Sequence, residues 1–253
     1  MTPIEYIDGY YFKRDDKYEI CGVKGGKSRA AYHLIQQGLS QGFKDFVTAG
    51  SRMSPQCEIV STICEHLGIK CHLFMPSGKE TSVLTSISKN ANSIVHKCEV
   101  GYNSVICSRA EKFAKENGYF YIPFGMECSE NVEITQTQVQ NIPMDVKRII
   151  IPCGSGMSLI SVVKGLECYG RDNVKVVGVQ VGKDPTYNLN KFLGYKDSLF
   201  DTHNYDIVKS KLDYHQAPTT TTFCGIELDP IYEAKCIPFL QKGDLLWIVG
   251  KRL

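Results

Sequence analysis

Short apolar runs rich in Ile, Val, Phe and Tyr alternate along this chain with segments whose apolar residues recur at helical spacing, and this alternation limits the fold most. SRAAYHLIQQGLSQG has helical spacing and ends on Gly42, and DFVTAG follows as a short buried strand. SPQCEIVSTICEHLG then reads as a helix with Ser54 as N-cap, Pro55 at its first position and Gly68 at its end. KCHLFMP, SIVHKC and YFYIPF are further strands, separated by helices around ETSVLTSISKN and SVICSRAEKFAKENG. From VKRIIIPCGSG the order begins again: strand, glycine-rich turn, the helix SLISVVKGLECYG and the strand VKVVGVQVG. Strands joined by helices of this length build parallel sheets covered by helices. Such sheets bind ligands beyond the carboxyl ends of their strands. Lys27, the AGSRMSPQ turn and the PCGSGMS turn all fall at or near such ends.

Composition excludes several classes. With 253 residues, 43% of them hydrophobic and 22% charged, the chain is long enough for a sizeable core and is not of disordered type. A net charge of +2, with acids near most of the basic residues, gives no electrostatic case for nucleic acid. The 11 cysteines are odd in number, form no Cys-x-x-Cys and sit mostly in apolar runs. They read as small buried hydrophobes in a reducing compartment, with neither a disulfide framework nor a metal site expected. No signal pattern and no membrane-length run is visible, so a cytoplasmic location without membrane partners is expected.

The buried run IIIPC leads directly into Gly154, Ser155, Gly156, Met157 and Ser158 and then a helix. Glycines there let successive N–H groups face one concavity, and the helix N-terminus adds partial positive charge, which suits a phosphate monoester. The alternative is a plain tight turn. A Walker loop is ruled out by the missing Gly-Lys-Ser/Thr, and G-x-G-x-x-G by Leu159. Near the N-terminus, GVKGGKSR places Lys27 in a turn of bare backbone. A lysine amine for an aldehyde and a cradle for a phosphate are what pyridoxal 5′-phosphate (PLP) requires.

FKRDDKYEICGVKGGKSRAAYHLI, with the leading TP, resembles the cofactor-lysine segment of the 1-aminocyclopropane-1-carboxylate deaminase and D-cysteine desulfhydrase family, within the tryptophan-synthase-β-like (type II) PLP fold. GIELDPIYEAK resembles that family's LDPVY-x-GK segment, and GSGMS sits where its phosphate loop does. The resemblance implies an α/β, two-lobed parallel-sheet enzyme with three-layer α/β/α lobes. The expected large lobe is 1–44 with 140–253 and the small lobe 45–139, with the cofactor in the cleft between them and a homodimer as the assembly. It also implies roles. Lys27 forms the Schiff base and shuttles a proton, Gly154 to Ser158 hold the phosphate, and Glu233 faces the pyridine nitrogen. Tyr232 sits beside the cofactor as an acid–base or positioning group. Read without the resemblance, Tyr232 and Glu233 are an ordinary helix start after Pro230.

The family's turn after its second strand reads GG-x-x-S-N; here it is AGSRMSPQ, with Met53 for the serine and Ser54 for the asparagine. A thioether neither attacks a cyclopropane nor donates a proton, which speaks against ring-opening deamination. Ser54 remains able to bond the cofactor's ring hydroxyl or to cap the next helix. Ser51, Arg52, Met53 and Gln56 are the expected substrate contacts; Arg52 is either a carboxylate or phosphate clamp or a solvated loop residue. GSR-x-SPQ and IPFGMEC are similar to compact phage-type members that accompany thymine hypermodification. The expected function is a PLP-dependent lyase acting at the α-carbon of an amino acid by deamination, β-elimination or decarboxylation. One alternative is decarboxylation of a glycine-like aminoacyl group on a thymine nucleotide in DNA; another is an inactive PLP-binding protein.

Overall fold

The computed structural model describes residues 1–52, 54–99, 101–194 and 203–250. The elements in chain order begin with β1 (Ile4–Ile7), β2 (Tyr10–Arg14), β3 (Glu19–Ile20), β4 (Val23–Lys24), α1 (Gly26–Ser40), β5 (Asp45–Ala49) and α2 (Pro55–Leu67). They continue with β6 (Lys70–Pro76), α3 (Ser82–Ile87), β7 (Ser93–Cys98), α4 (Asn103–Asn117), β8 (Phe120–Ile122), α5 (Ser129–Gln136) and β9 (Arg148–Cys153). The last are α6 (Met157–Cys168), β10 (Lys175–Gln180), α7 (Thr186–Leu193), β11 (Tyr205–Lys209), β12 (Thr222–Phe223), β13 (Ile226–Glu227) and β14 (Leu245–Ile248). The chain divides into two compact units, one made of Met1–Tyr18 with the chain from Ser129 onward, the other of Glu19–Cys128. The sequence reading set these limits at 44/45 and 139/140, so Lys27 and α1 fall in the Glu19–Cys128 unit.

In that unit four parallel strands run in the order β7-β6-β5-β8. Strand periodicity sorts their side chains. Phe46, Cys71, Leu73 and Met75 join the cluster built with α1, α2 and α3 residues, while Val47, Ala49 and Phe74 join the cluster under α4. The unit is therefore a three-layer α/β/α sandwich. Ser54 caps α2, its hydroxyl accepting from the Gln56 N–H at 3.3 Å; Pro55 takes the first position and Gly68 closes the helix in the left-handed region.

In the other unit the sheet order is β1-β2-β14-β9-β10-β11, with β1 antiparallel to β2 and every other pair parallel. Ile149, Ile151, Leu245 and Trp247 pack with residues of α5, α6 and α7. Ile150, Leu246 and Ile248 face the opposite layer, where the 3₁₀ segment Glu233–Phe239 supplies Ala234 and Cys236 and the β12–β13 hairpin supplies Ile226. A buried polar network pins the N-terminal segment. Asp15 accepts from the Thr2 hydroxyl (2.6 Å) and the Trp247 indole (3.1 Å), and Lys13 donates to Thr2 O (3.0 Å). Among the described residues, no helix is long and apolar enough to cross a membrane.

Candidate active site

The turn after β9 is built by its glycines. Gly156 has φ +89°, in the region that favours glycine, and it starts α6 without a side-chain cap. The first turn closes with the Ile160 N–H on Gly156 O at 2.9 Å. The amides of Gly156, Met157, Ser158 and Leu159 are thus the four helix-start donors that intrahelical bonds leave over, at the positive end of the helix. A β-carbon on Gly154 would lie 3.3 Å from the Tyr232 ring, and one on Gly156 would lie 3.2 Å from Pro185. Glycine therefore lets Tyr232 close on one end of the cradle and the segment before α7 close on the other.

Tyr232 is held by the residues before it. Asp229, almost fully buried, accepts through Oδ1 from the N–H groups of Ile231 (2.8 Å) and Tyr232 (3.0 Å). This side-chain-to-backbone turn explains why the chain places Asp-Pro before the tyrosine. Tyr214 meets Tyr232 edge-on, with ring centroids 6.4 Å apart and hydroxyl oxygens 3.5 Å apart. The loop carrying Tyr214 is fixed by buried Lys235, whose ammonium donates to Asp213 O (2.7 Å) and Tyr214 O (3.0 Å). Tyr214 is not singled out by the sequence, because a loop tyrosine carries no pattern, and Lys235 enters it only as the last residue of the GIELDPIYEAK segment, with no role attached.

Glu233 is fully buried. Its Oε1 accepts from the N–H groups of Val249 (2.8 Å) and Gly250 (3.3 Å), whereas buried Oε2 has no hydrogen-bond partner among the described residues. Burial, with the Asp229 carboxylate adding to it, pushes the carboxyl up to about 8. Such an acid is stable only while protonated or while it faces a positive group. The thiol of Cys153, at the end of β9, is pushed up to about 12 by burial, with Asp184 adding to it, and stays protonated.

In the Glu19–Cys128 unit, Lys27 is the second residue of α1, behind Gly25 at φ +98°. Its side chain is exposed while Ser28 to Ala31 are buried; the Ser28 hydroxyl donates to Gly25 O at 2.6 Å and holds the turn. Ser51 O receives the Ser54 N–H at 3.0 Å. Arg52 lies across Gly78, where a β-carbon would come within 2.2 Å of Nη1, and donates to Lys79 O at 3.0 Å. Gln56 is buried, donates to Thr48 Oγ1 (2.9 Å) and Pro123 O (2.8 Å), and accepts from the Gly125 N–H (2.7 Å). These bonds go to protein, so what Gln56 offers is the position of the Gly125 turn. Met53 lies outside the described residues.

PLP can be tested against these features. The cradle presents orphan N–H donors at a helix N-terminus where added β-carbons would intrude, and Glu233 presents a buried oxygen without a donor among the described residues. A phosphate suits the first and a ring nitrogen the second, so these residues fit the group.

The chain belongs to the pyridoxal-phosphate dependent enzyme family, whose model matches residues 2–205. It is 26% identical over 192 residues to the O-seryl-dTMP PLP-dependent decarboxylase of Salmonella phage ViI, covering 66% of this chain and 45% of that protein. The match thus spans less than half of the phage protein's length. A probable 1-aminocyclopropane-1-carboxylate deaminase of Schizosaccharomyces pombe is 23% identical over 266 residues, covering 89% of this chain and 78% of that protein. Among solved structures, an ACC deaminase homologue superposes with a TM-score of 0.78 at 20% identity, covering 98% of this chain and 89% of its own. The diaminopropionate ammonia lyase of Escherichia coli does so at 0.70 and 11% identity, covering 99% and 84%. These likenesses fix the fold as the type II PLP fold expected from the sequence.

Proposed function

We propose that this chain is a PLP-dependent lyase that breaks a bond at the α-carbon of an amino-acid group. The observation that carries the reading is the combination, within one unit, of the orphan amides behind Gly154 and Gly156 with a buried carboxyl oxygen of Glu233 that has no donor among the described residues. When bound, the cofactor supplies an electron sink for negative charge at the substrate α-carbon. Gly154 to Ser158 would hold its phosphate through their N–H groups, and Glu233 Oε2 would face its ring nitrogen. Lys27 Nζ would carry it and, once released, take and return a proton at the α-carbon. Tyr232, packed on Gly154, is the candidate to orient the substrate or move a second proton. The Ser54 hydroxyl, which caps α2, is a further cofactor contact in this reading, and Ser51, Arg52, Met53 and Gln56 are its substrate contacts.

A second reading is supported by the likeness to the phage ViI protein and by the replacement of the deaminase-type serine and asparagine by Met53 and Ser54. In it the amino-acid group is carried on a thymine nucleotide and loses its carboxylate as carbon dioxide. The test is product analysis: the cofactor-loaded protein is incubated with free amino acids and, separately, with dTMP carrying an amino acid joined through its side chain, O-seryl-dTMP first, so that the α-carboxylate stays free. Carbon dioxide released only from the nucleotide conjugates supports the second reading. Ammonia and a keto acid from a free amino acid support the first form, and turnover of neither class contradicts the lyase proposal. A homodimer, implied by the family resemblance, completes the proposal and is checked by sedimentation of the loaded protein.

A further inference from the structure

We propose that Asn188, on α7, is a positioning residue of the phosphate cradle: it fixes the Ser155–Gly156 peptide so that the Gly156 N–H faces the phosphate. The inference rests on reading Gly154 to Ser158 as the phosphate site.

Three observations carry it. The Asn188 side-chain amide donates from Nδ2 to Ser155 O at 2.8 Å. In a planar trans peptide the C=O and N–H point in opposite directions, so a carbonyl held toward α7 turns the Gly156 N–H away from α7. The same helix backs the turn, because a β-carbon on Gly156 would meet Pro185 at 3.2 Å and Leu189 at 3.9 Å. Finally, Asn188 is 6% exposed, and its buried Oδ1 has no hydrogen-bond partner among the described residues. An unmatched buried acceptor costs stability, and a leucine of similar size would avoid that cost. An amide kept at such a site is kept for its donor, and among the described residues its acceptor is the carbonyl of the cradle.

The start of α7 is itself fixed. Asp184 Oδ1 accepts from the Thr186 N–H (2.9 Å) and the Thr186 hydroxyl (2.5 Å), and these bonds hold its carboxyl below the usual carboxylate range. Asn188 therefore reaches the cradle from a helix whose start is held by Asp184, four residues before it. It aims the amide and need not touch the ligand.

The test compares two aldehydes in titrations of the cofactor-free protein, PLP and pyridoxal, which lacks the phosphate. Both can react with Lys27, so pyridoxal reports general damage and the ratio of the two affinities reports the cradle. Asn188→Leu is expected to weaken PLP binding about tenfold and leave pyridoxal binding within about twofold of wild type. Asn188→Ala, smaller and free of overpacking, is read the same way if the leucine variant does not fold. Equal losses for both aldehydes, or no loss for PLP, would overturn the role of Asn188. A wild-type protein that binds the two aldehydes equally would instead remove the phosphate reading of the turn, and the inference with it.

Discussion

At the scale of single residues, Glu233 has the clearest physical consequence. Its folded-state value of about 8 lies above the ordinary 4.5, so the cofactor-free folded protein binds a proton that the unfolded chain releases. A raised value of this kind contributes stability that is fully present below about pH 4.5 and is lost as the pH rises through about 8. Urea unfolding of the cofactor-free protein should therefore show stability falling between these limits by up to about 1.4 kcal/mol per pH unit from this group. In Glu233→Gln that component of the slope should vanish, because the amide keeps an acceptor for the Val249 N–H and cannot ionise. An unchanged slope in the variant would show that Glu233 does not hold the proton. Gly154→Ala tests the cradle at the same scale. Its methyl would press on the Tyr232 ring at 3.3 Å without backbone strain, so PLP affinity should fall with little loss of thermal stability. Gly154 could be singled out because Gly-Ser-Gly directly follows a buried strand, and Glu233 only through the family resemblance of the contiguous Asp-Pro-Ile-Tyr-Glu run. Asn188 was not, since its partner Ser155 is 33 positions away and nothing local marks the pair.

At the scale of elements, Gln56 shows how a helix start is used to fix a distant turn. From the first turn of α2 its amide bonds Thr48 on β5 and the Pro123–Gly125 turn after β8. Gln56→Leu would leave the Gly125 N–H and the Pro123 carbonyl without this partner, and we expect a loss of about 2–4 kcal/mol in chemical unfolding. A loss below about 0.5 kcal/mol would mean that water replaces the amide. Gln56 is a candidate substrate contact in the sequence, which gives no sign of these partners because they lie 8 to 69 residues away. The long periodic elements were readable: α1, α2, α4 and α6, and the apolar strands β5, β6, β9 and β10, all stand where spacing put them. The short ones were not. β12 and β13 have two residues each, and Glu233–Phe239 is a 3₁₀ segment containing Pro238. Such elements are set by tertiary packing rather than by periodicity.

At the scale of the molecule, the strand–helix alternation identified parallel sheets, and the family match over residues 2–205 agrees with that architecture. The limits of the units were less legible, because the boundaries at 18/19 and 128/129 are not marked by any glycine- or proline-rich linker. Lys27 as the residue that carries PLP is checked by the visible absorption spectrum of the purified protein, reconstituted with PLP, beside Lys27→Ala. The wild-type protein is expected to be yellow and to lose its colour to borohydride, and Lys27→Ala, still folded, to lack the colour. A colourless wild-type protein after reconstitution, or a variant that keeps the borohydride-sensitive band, would rule out a Schiff base at Lys27.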